Sequence, residues 1–195
     1  MEQLEKWIRK EILNSSDVFT AIAKSCSKDI FKAAEIFISA LKNGKKILWC
    51  GNGGSAAQAQ HLSTELVCGL RTHDRIGLAS ISLTTDTSLL TAWSNDVDYK
   101  TVFARQIEAI GKAGDVLIAI STSGNSINII EAINKAKKNG IMTIGFIGNQ
   151  KCKLREICDL NISIPCADTQ RIQEGHIMIG HIICEIVENQ ICNIN

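Results

Sequence analysis

A short apolar run, Ile47-Leu48-Trp49-Cys50, stops at Gly51-Asn52-Gly53-Gly54-Ser55 and gives way to a helix-compatible stretch beginning Ala56-Ala57. Strand, glycine turn and helix in that order point to a parallel α/β sheet, where ligand sites form in the turns at the carboxyl ends of strands. A second turn echoes the first. Asp115-Val116-Leu117-Ile118-Ala119-Ile120 runs into Ser121-Thr122-Ser123-Gly124-Asn125-Ser126. Two small, hydroxyl-rich turns after two strands suggest one cradle for a phosphate and its attached sugar. Backbone N–H groups at helix N-termini and serine hydroxyls suit a phosphate dianion.

The rest of the chain repeats this alternation. Strands are expected at Ile47–Cys50, Leu78–Leu83, Val116–Ile120, Met142–Ile147 and Leu160–Ile164. Helices are expected at Ser55–Gly69, Thr87–Ser94, Val102–Gly111, Ser126–Asn139, Lys153–Cys158 and Thr169–Asn193. Aliphatic strands without polar alternation mark a parallel sheet buried on both faces. Right-handed crossovers then give a three-layer α/β/α sandwich around a five-stranded parallel sheet. Before it, residues 2–13 and 17–42 read as two helices separated by Asn14-Ser15-Ser16-Asp17, which offers N-caps, and Asn43-Gly44 is a helix stop. These helices precede the first strand, so they are not crossovers. Their apolar faces can pack on their own sheet or between subunits. At 195 residues the chain reads as one domain, with a helical segment at 1–43 and an α/β core at 44–195.

Composition removes several classes. Net charge is +1 with no dense Lys/Arg cluster, which argues against nucleic acid as a partner. No segment reaches the roughly 18 apolar residues of a membrane span. The charged start, Met1-Glu2-Gln3-Leu4-Glu5-Lys6, is not a signal peptide, so the cytoplasm is the expected location. The 8 cysteines include no C-x-x-C pair and read as reduced thiols, mostly small core residues. The glycine turn lacks the lysine of a P-loop, and Asp86 stands too far downstream for a dinucleotide fingerprint.

Chemistry-bearing residues fall on two helices and one loop. His61 and Glu65 are spaced i, i+4 and share a helical face. Such a pair can ligate a metal, pair a base with an acid, or simply face solvent. The last helix carries Gln173, Glu174, His176 and His181. Gln173 and His181 are separated by about 12 Å of helix rise and roughly 80° of rotation, so a shared centre needs extended side chains. His176 points elsewhere and reads as structural. Thr84-Thr85-Asp86-Thr87-Ser88 and Asn95-Asp96 offer hydrogen bonds to a hydroxyl-rich ligand, while Asp86 and Asp98 are also natural helix caps.

Taken together, these residues resemble a known family. Gly51-Asn52-Gly53-Gly54-Ser55-Ala56-Ala57, Ala59-Gln60-His61, Leu83 to Ser88, Asn95-Asp96-Val97, Phe103-Ala104-Arg105-Gln106, Ile120 to Ser126 and Arg171-Ile172-Gln173-Glu174 are similar to the bacterial sedoheptulose 7-phosphate isomerases, or phosphoheptose isomerases. These are sugar isomerase (SIS) domain enzymes, and the resemblance runs from about Leu4 to Val187. It implies a cytoplasmic ketose–aldose isomerase acting on sedoheptulose 7-phosphate in the supply of activated heptose for lipopolysaccharide or capsule. It implies Ser121, Thr122, Ser123 and Ser126 as the phosphate cradle with Ser55 nearby. Asn52, Gly53, Gly54, Asn95, Asp96, Glu65 and Gln173 would contact the sugar, and Glu65 and His181 would be the acid/base pair. His61, Glu65, Gln173 and His181 would hold one zinc ion per subunit. The implied assembly is a homotetramer with sites at subunit contacts, where Glu65 and His181 would meet from different chains and the N-terminal helices would find partners. A branch of the family that binds a replication initiator lacks the glutamate and second histidine, both present here. The segment Val67–Ile76 matches the family pattern poorly.

Overall fold

Five parallel strands organise the computed structural model, which describes residues 1–192. They are β1 (Ile47–Gly51), β2 (Ser80–Ser82), β3 (Val116–Ser121), β4 (Met142–Gly148) and β5 (Leu160–Ile164), in the order β2-β1-β3-β4-β5. β1 pairs with β3 through Ile47↔Val116 to Gly51↔Ile120, so the two turns identified in the sequence leave the sheet side by side. The strand order reverses between β1 and β3, and that switch point opens a crevice at their carboxyl ends.

Two apolar layers sandwich the sheet because its strands point alternate side chains to opposite faces. Ile47, Trp49, Val116, Ile118 and Ile120 face one cluster. Leu48, Cys50, Leu117 and Ala119 face the other. The first cluster takes α2 (Ser27–Lys42), α3 (Gly54–Cys68) and α8 (Thr169–Cys192), together with Ile22 at the end of α1 (Glu2–Ser25). The second takes α5 (Val102–Ile110), α6 (Ile127–Lys138), α7 (Lys153–Ile157) and the partly buried face of α4 (Thr87–Asp96). The expected three-layer sandwich is therefore what forms.

The break in the N-terminal helices falls elsewhere than the sequence suggests. α1 runs unbroken through Asn14-Ser15-Ser16-Asp17, and the chain turns at Cys26. The polar side chains there are used along the helix. The Ser15 hydroxyl donates to Glu174 of α8 at 2.8 Å, with the Glu11 carbonyl a longer alternative acceptor at 3.3 Å, so it is not spent on a cap. α2 packs on its own sheet through Ile30, Ala33, Ala34, Phe37 and Ala40. Phe37 meets Trp49 edge-on at 5.7 Å. α1 instead buries only Ile22. β2 is shorter than expected because it is an edge strand, bonded only to β1, and its Ile81 faces solvent. The other helix ends match to within two residues, and Asn193 at the expected end of α8 lies outside the described residues.

All eight cysteines are free. Four of them, Cys26, Cys50, Cys152 and Cys184, are buried, and Cys68 is exposed, so the small-core-residue expectation holds for half of them. Burial pushes the Cys158 thiol up to about 12, with Asp159 adding to the shift, which keeps it protonated and poorly nucleophilic.

Candidate active site

α3 and α8 lie side by side and run parallel. His61 meets His181 and Leu70 meets Glu188, at sequence separations of 120 and 118 residues. Partner positions that rise together along both segments require a common direction. The helices come close because α8 presents Gly180 to the Leu62 side chain, which leaves no space there for a β-carbon. The next residue on α8 is His181. The small residue thus brings the imidazole against α3.

There His61, Glu65 and His181 converge, with one ligand atom from each all within 4.8 Å of one another. His61 Nε2 lies 2.8 Å from His181 Nε2 and 3.1 Å from Glu65 Oε1. The imidazoles meet edge-on, with ring centroids 5.0 Å apart. The i, i+4 spacing on α3 and the crossing from α8 therefore build one cluster within a single chain. This corrects the expectation that Glu65 and His181 meet from different subunits. Desolvation pushes the His181 pKa down, the adjacent His61 pushes it further down, and the Glu65 carboxylate opposes them. A neutral imidazole, able to accept a proton or a metal, is the outcome.

The donor chemistry suits zinc. Two imidazoles and a carboxylate are ordinary zinc ligands, and their donor atoms lie close enough together to share one ion. Gln173 reaches α3 from the start of α8. Its carboxamide packs against Gly54 at the head of α3, and its backbone carbonyl accepts from Gln58 Nε2 at 2.7 Å.

The two turns form the rest of the crevice. Gly51 allows the first turn to fold back on itself, since a β-carbon there would stand 2.6 Å from the Ser55 carbonyl oxygen. Ser55 is buried, and its N–H donates to the Asn52 carbonyl at 2.9 Å. In the second turn the Ser121 hydroxyl lies 3.5 Å from those of Ser123 and Ser126, and accepts from the Gly124 N–H at 3.1 Å. Ser126 is the N-cap residue of α6 but makes no side-chain capping bond. Its hydroxyl remains available beside the positive end of the helix dipole. Thr122 is half-buried in the same turn.

Two residues that the sequence did not single out brace the first turn. Asn128 and Asn52 exchange reciprocal carboxamide hydrogen bonds of 2.9 and 2.8 Å. The Tyr99 hydroxyl donates to Asn52 Oδ1 at 2.8 Å. An asparagine in the first turn of an otherwise aliphatic helix face was the available signal for Asn128. Tyr99 is the chain's single tyrosine. Asn95 and Asp96 are exposed at the end of α4 and bond to each other at 2.8 Å. Asp86 caps α4 through the Leu89 N–H at 3.0 Å, and Asp98 caps the following turn, so the capping alternative holds for both.

A doubly wound sheet with hydroxyl-lined turns at its switch point defines a class, and comparison agrees: the SIS domain family model matches residues 12–148, so the chain belongs to that family. Within it the chain belongs with the phosphoheptose isomerases. It is 49% identical over 190 residues to the phosphoheptose isomerase of Clostridium acetobutylicum, covering 96% of each chain. The phosphoheptose isomerase structure from Neisseria gonorrhoeae superposes with a TM-score of 0.90 at 38% identity, covering 95% of this chain and 99% of that one. The Francisella tularensis enzyme gives a TM-score of 0.92 at 32% identity, covering 97% and 100%.

Proposed function

We propose that this protein converts D-sedoheptulose 7-phosphate to D-glycero-D-manno-heptose 7-phosphate, supplying heptose that is later activated for lipopolysaccharide or capsule. The convergence of His61, Glu65 and His181 beside a hydroxyl-lined crevice carries the reading. Ser55, Ser121, Thr122, Ser123 and Ser126 hold the phosphate, with the α6 N-terminus behind them. Asn52, Gly53, Gly54, Asn95, Asp96 and Gln173 line the sugar. Anchoring the phosphate positions the reacting carbons at the far end of the chain.

The reaction moves a proton from C1 to C2 while the carbonyl passes from C2 to C1. Glu65 and His181 divide the work: one takes the C1 proton and returns it to C2, and the other exchanges protons with the two oxygens of the enediol. Their environments differ, since Glu65 is largely covered and bonded to His61 while His181 is held neutral. His61, Glu65 and His181, with Gln173 as fourth donor, would hold one zinc ion per subunit. Bound there, zinc would stabilise the enediolate charge as a Lewis acid. Proton NMR of the heptulose phosphate with purified protein tests both points. An aldose anomeric signal is expected, and it should disappear on chelation and return with zinc. No conversion under any of these conditions would overturn the isomerase reading.

The assembly we infer is a homotetramer in the cytoplasm. Among the described residues no helix is long and apolar enough to cross a membrane. α1 presents Leu4, Trp7, Ile8, Ile12 and Leu13 to solvent along one helix, an apolar surface suited to other subunits. Sedimentation should give four subunits, and a monomer at micromolar concentration would refute the assembly.

A further inference from the structure

We propose that the buried ion pair of Arg75 and Glu188 is a positioning brace that sets the spacing of the His61, Glu65 and His181 cluster; the proposal rests on the metal-site and isomerase reading above. Both side chains are almost fully covered, at 3% and 1% exposed. Arg75 Nε donates to Glu188 Oε1 at 2.6 Å. The same guanidinium then reaches α3. Nη2 donates to the backbone carbonyl of Glu65 at 2.9 Å, and Nη1 donates to that of Leu66 at 3.0 Å. Nη1 also donates to the Ile76 carbonyl at 2.7 Å. One planar group therefore bridges a carboxylate on α8 to the peptide of the proposed acid/base glutamate on α3. Only the fork of an arginine does this, since lysine offers a single nitrogen.

Glu188 completes the link from its own side. It accepts from the Leu70 and Arg71 N–H groups at 3.1 and 2.9 Å, which clamps the connection after α3 onto α8. Glu188 lies two turns beyond His181 on the same helix. An exposed outer clasp, Arg71 with Glu185 at 2.9 and 3.1 Å, adds little by itself because solvent screens it. Along the α3–α8 contact, Gly180 permits the close approach and the brace fixes the axial register one step further on. The three donor atoms come from two helices, so any sliding of one against the other parts His181 from Glu65. A misplacement near 1 Å can cost about 10²-fold in rate.

A purely structural pair would lower stability and leave the folded site unchanged. A brace must change the site. The experiment compares the intact protein with R75K, which keeps charge but loses the fork, and E188Q, which keeps shape and an acceptor oxygen. Zinc affinity is read by competition with a chromogenic chelator, alongside kcat, KM and the melting temperature. R75K should bind zinc tenfold or more weakly and lose tenfold or more in kcat, with KM within about threefold; E188Q should move the same way by less. Wild-type zinc affinity and kcat in both folded variants would overturn the brace. Hydrogen exchange on the unmodified protein needs no variant. Coupling is reciprocal, so zinc should slow exchange at the Leu70 and Arg71 amides, and unchanged exchange would overturn the proposal. Wild-type protein that binds zinc without turnover would sink the isomerase reading and leave affinity and exchange to judge the brace. Wild-type protein that does neither would overturn both.

Discussion

Replacing Glu65 by glutamine, or His181 by glutamine, should cut turnover of sedoheptulose 7-phosphate by about 10²-fold or more while leaving the fold intact. Glutamine keeps the volume of glutamate and an oxygen that can still face His61, so the 3.1 Å contact can survive as a neutral hydrogen bond. It removes the basic carboxylate. At position 181, glutamine removes a base that burial and His61 hold in the neutral form. Most of the phosphate cradle lies in the turn between β3 and α6, outside the helix pair that carries these residues, so KM should change far less than kcat. The measurement is steady-state conversion at saturating substrate, with circular dichroism as the check on folding. Near-normal kcat in either variant would remove that residue from the proton-transfer role. Near-normal kcat in both would place the proton-transfer groups elsewhere in the crevice.

Much of this site was legible because its signals are local. The apolar runs before Gly51 and Ser121 are continuous, as strands covered on both faces must be, and they found β1 and β3 to within one residue. The i, i+4 pairing of His61 with Glu65 is fixed by helical geometry alone. What was not legible depends on contacts between distant segments. That His181 joins His61 within one chain follows from the parallel packing of α3 and α8 and from the space at Gly180, neither of which has a sequence period. The cap-rich Asn14 to Asp17 suggested a helix break, yet Ser15 is engaged by Glu174, far away in sequence. Arg75 and Glu188 lie in a stretch and a helix end that looked unremarkable in composition. Their burial, and the convergence of four hydrogen bonds on one guanidinium, exist only in the folded chain.

His176 was expected to be structural, and its surroundings give it a second measurable consequence. It is fully buried, tilted against Phe146 at 5.9 Å, with Nε2 placed 3.2 Å from the Ile147 carbonyl. A carbonyl only accepts, so Nε2 carries the proton and donates. Nδ1 then keeps its lone pair, and it has no hydrogen-bond partner among the described residues. Desolvation pushes the pKa down from 6.5 to about 4, with the Ile147 bond opposing it. Between those two values the unfolded chain binds a proton that the folded chain refuses. Stability therefore rises with pH across that window. The contribution is complete above about pH 6.5 and is lost as pH falls through about 4. At 1.36 kcal/mol per unit, the loss from this one group approaches about 3 kcal/mol. H176Q keeps a donor for Ile147 and cannot titrate, so comparison with it cancels the carboxylates common to both proteins. Urea unfolding from pH 7 to pH 4, with a chelator present to silence the metal cluster, should show the wild type losing about 3 kcal/mol more than H176Q. Parallel curves would mean that His176 is protonated in the folded state, and that the core between β4 and α8 opens to water at low pH.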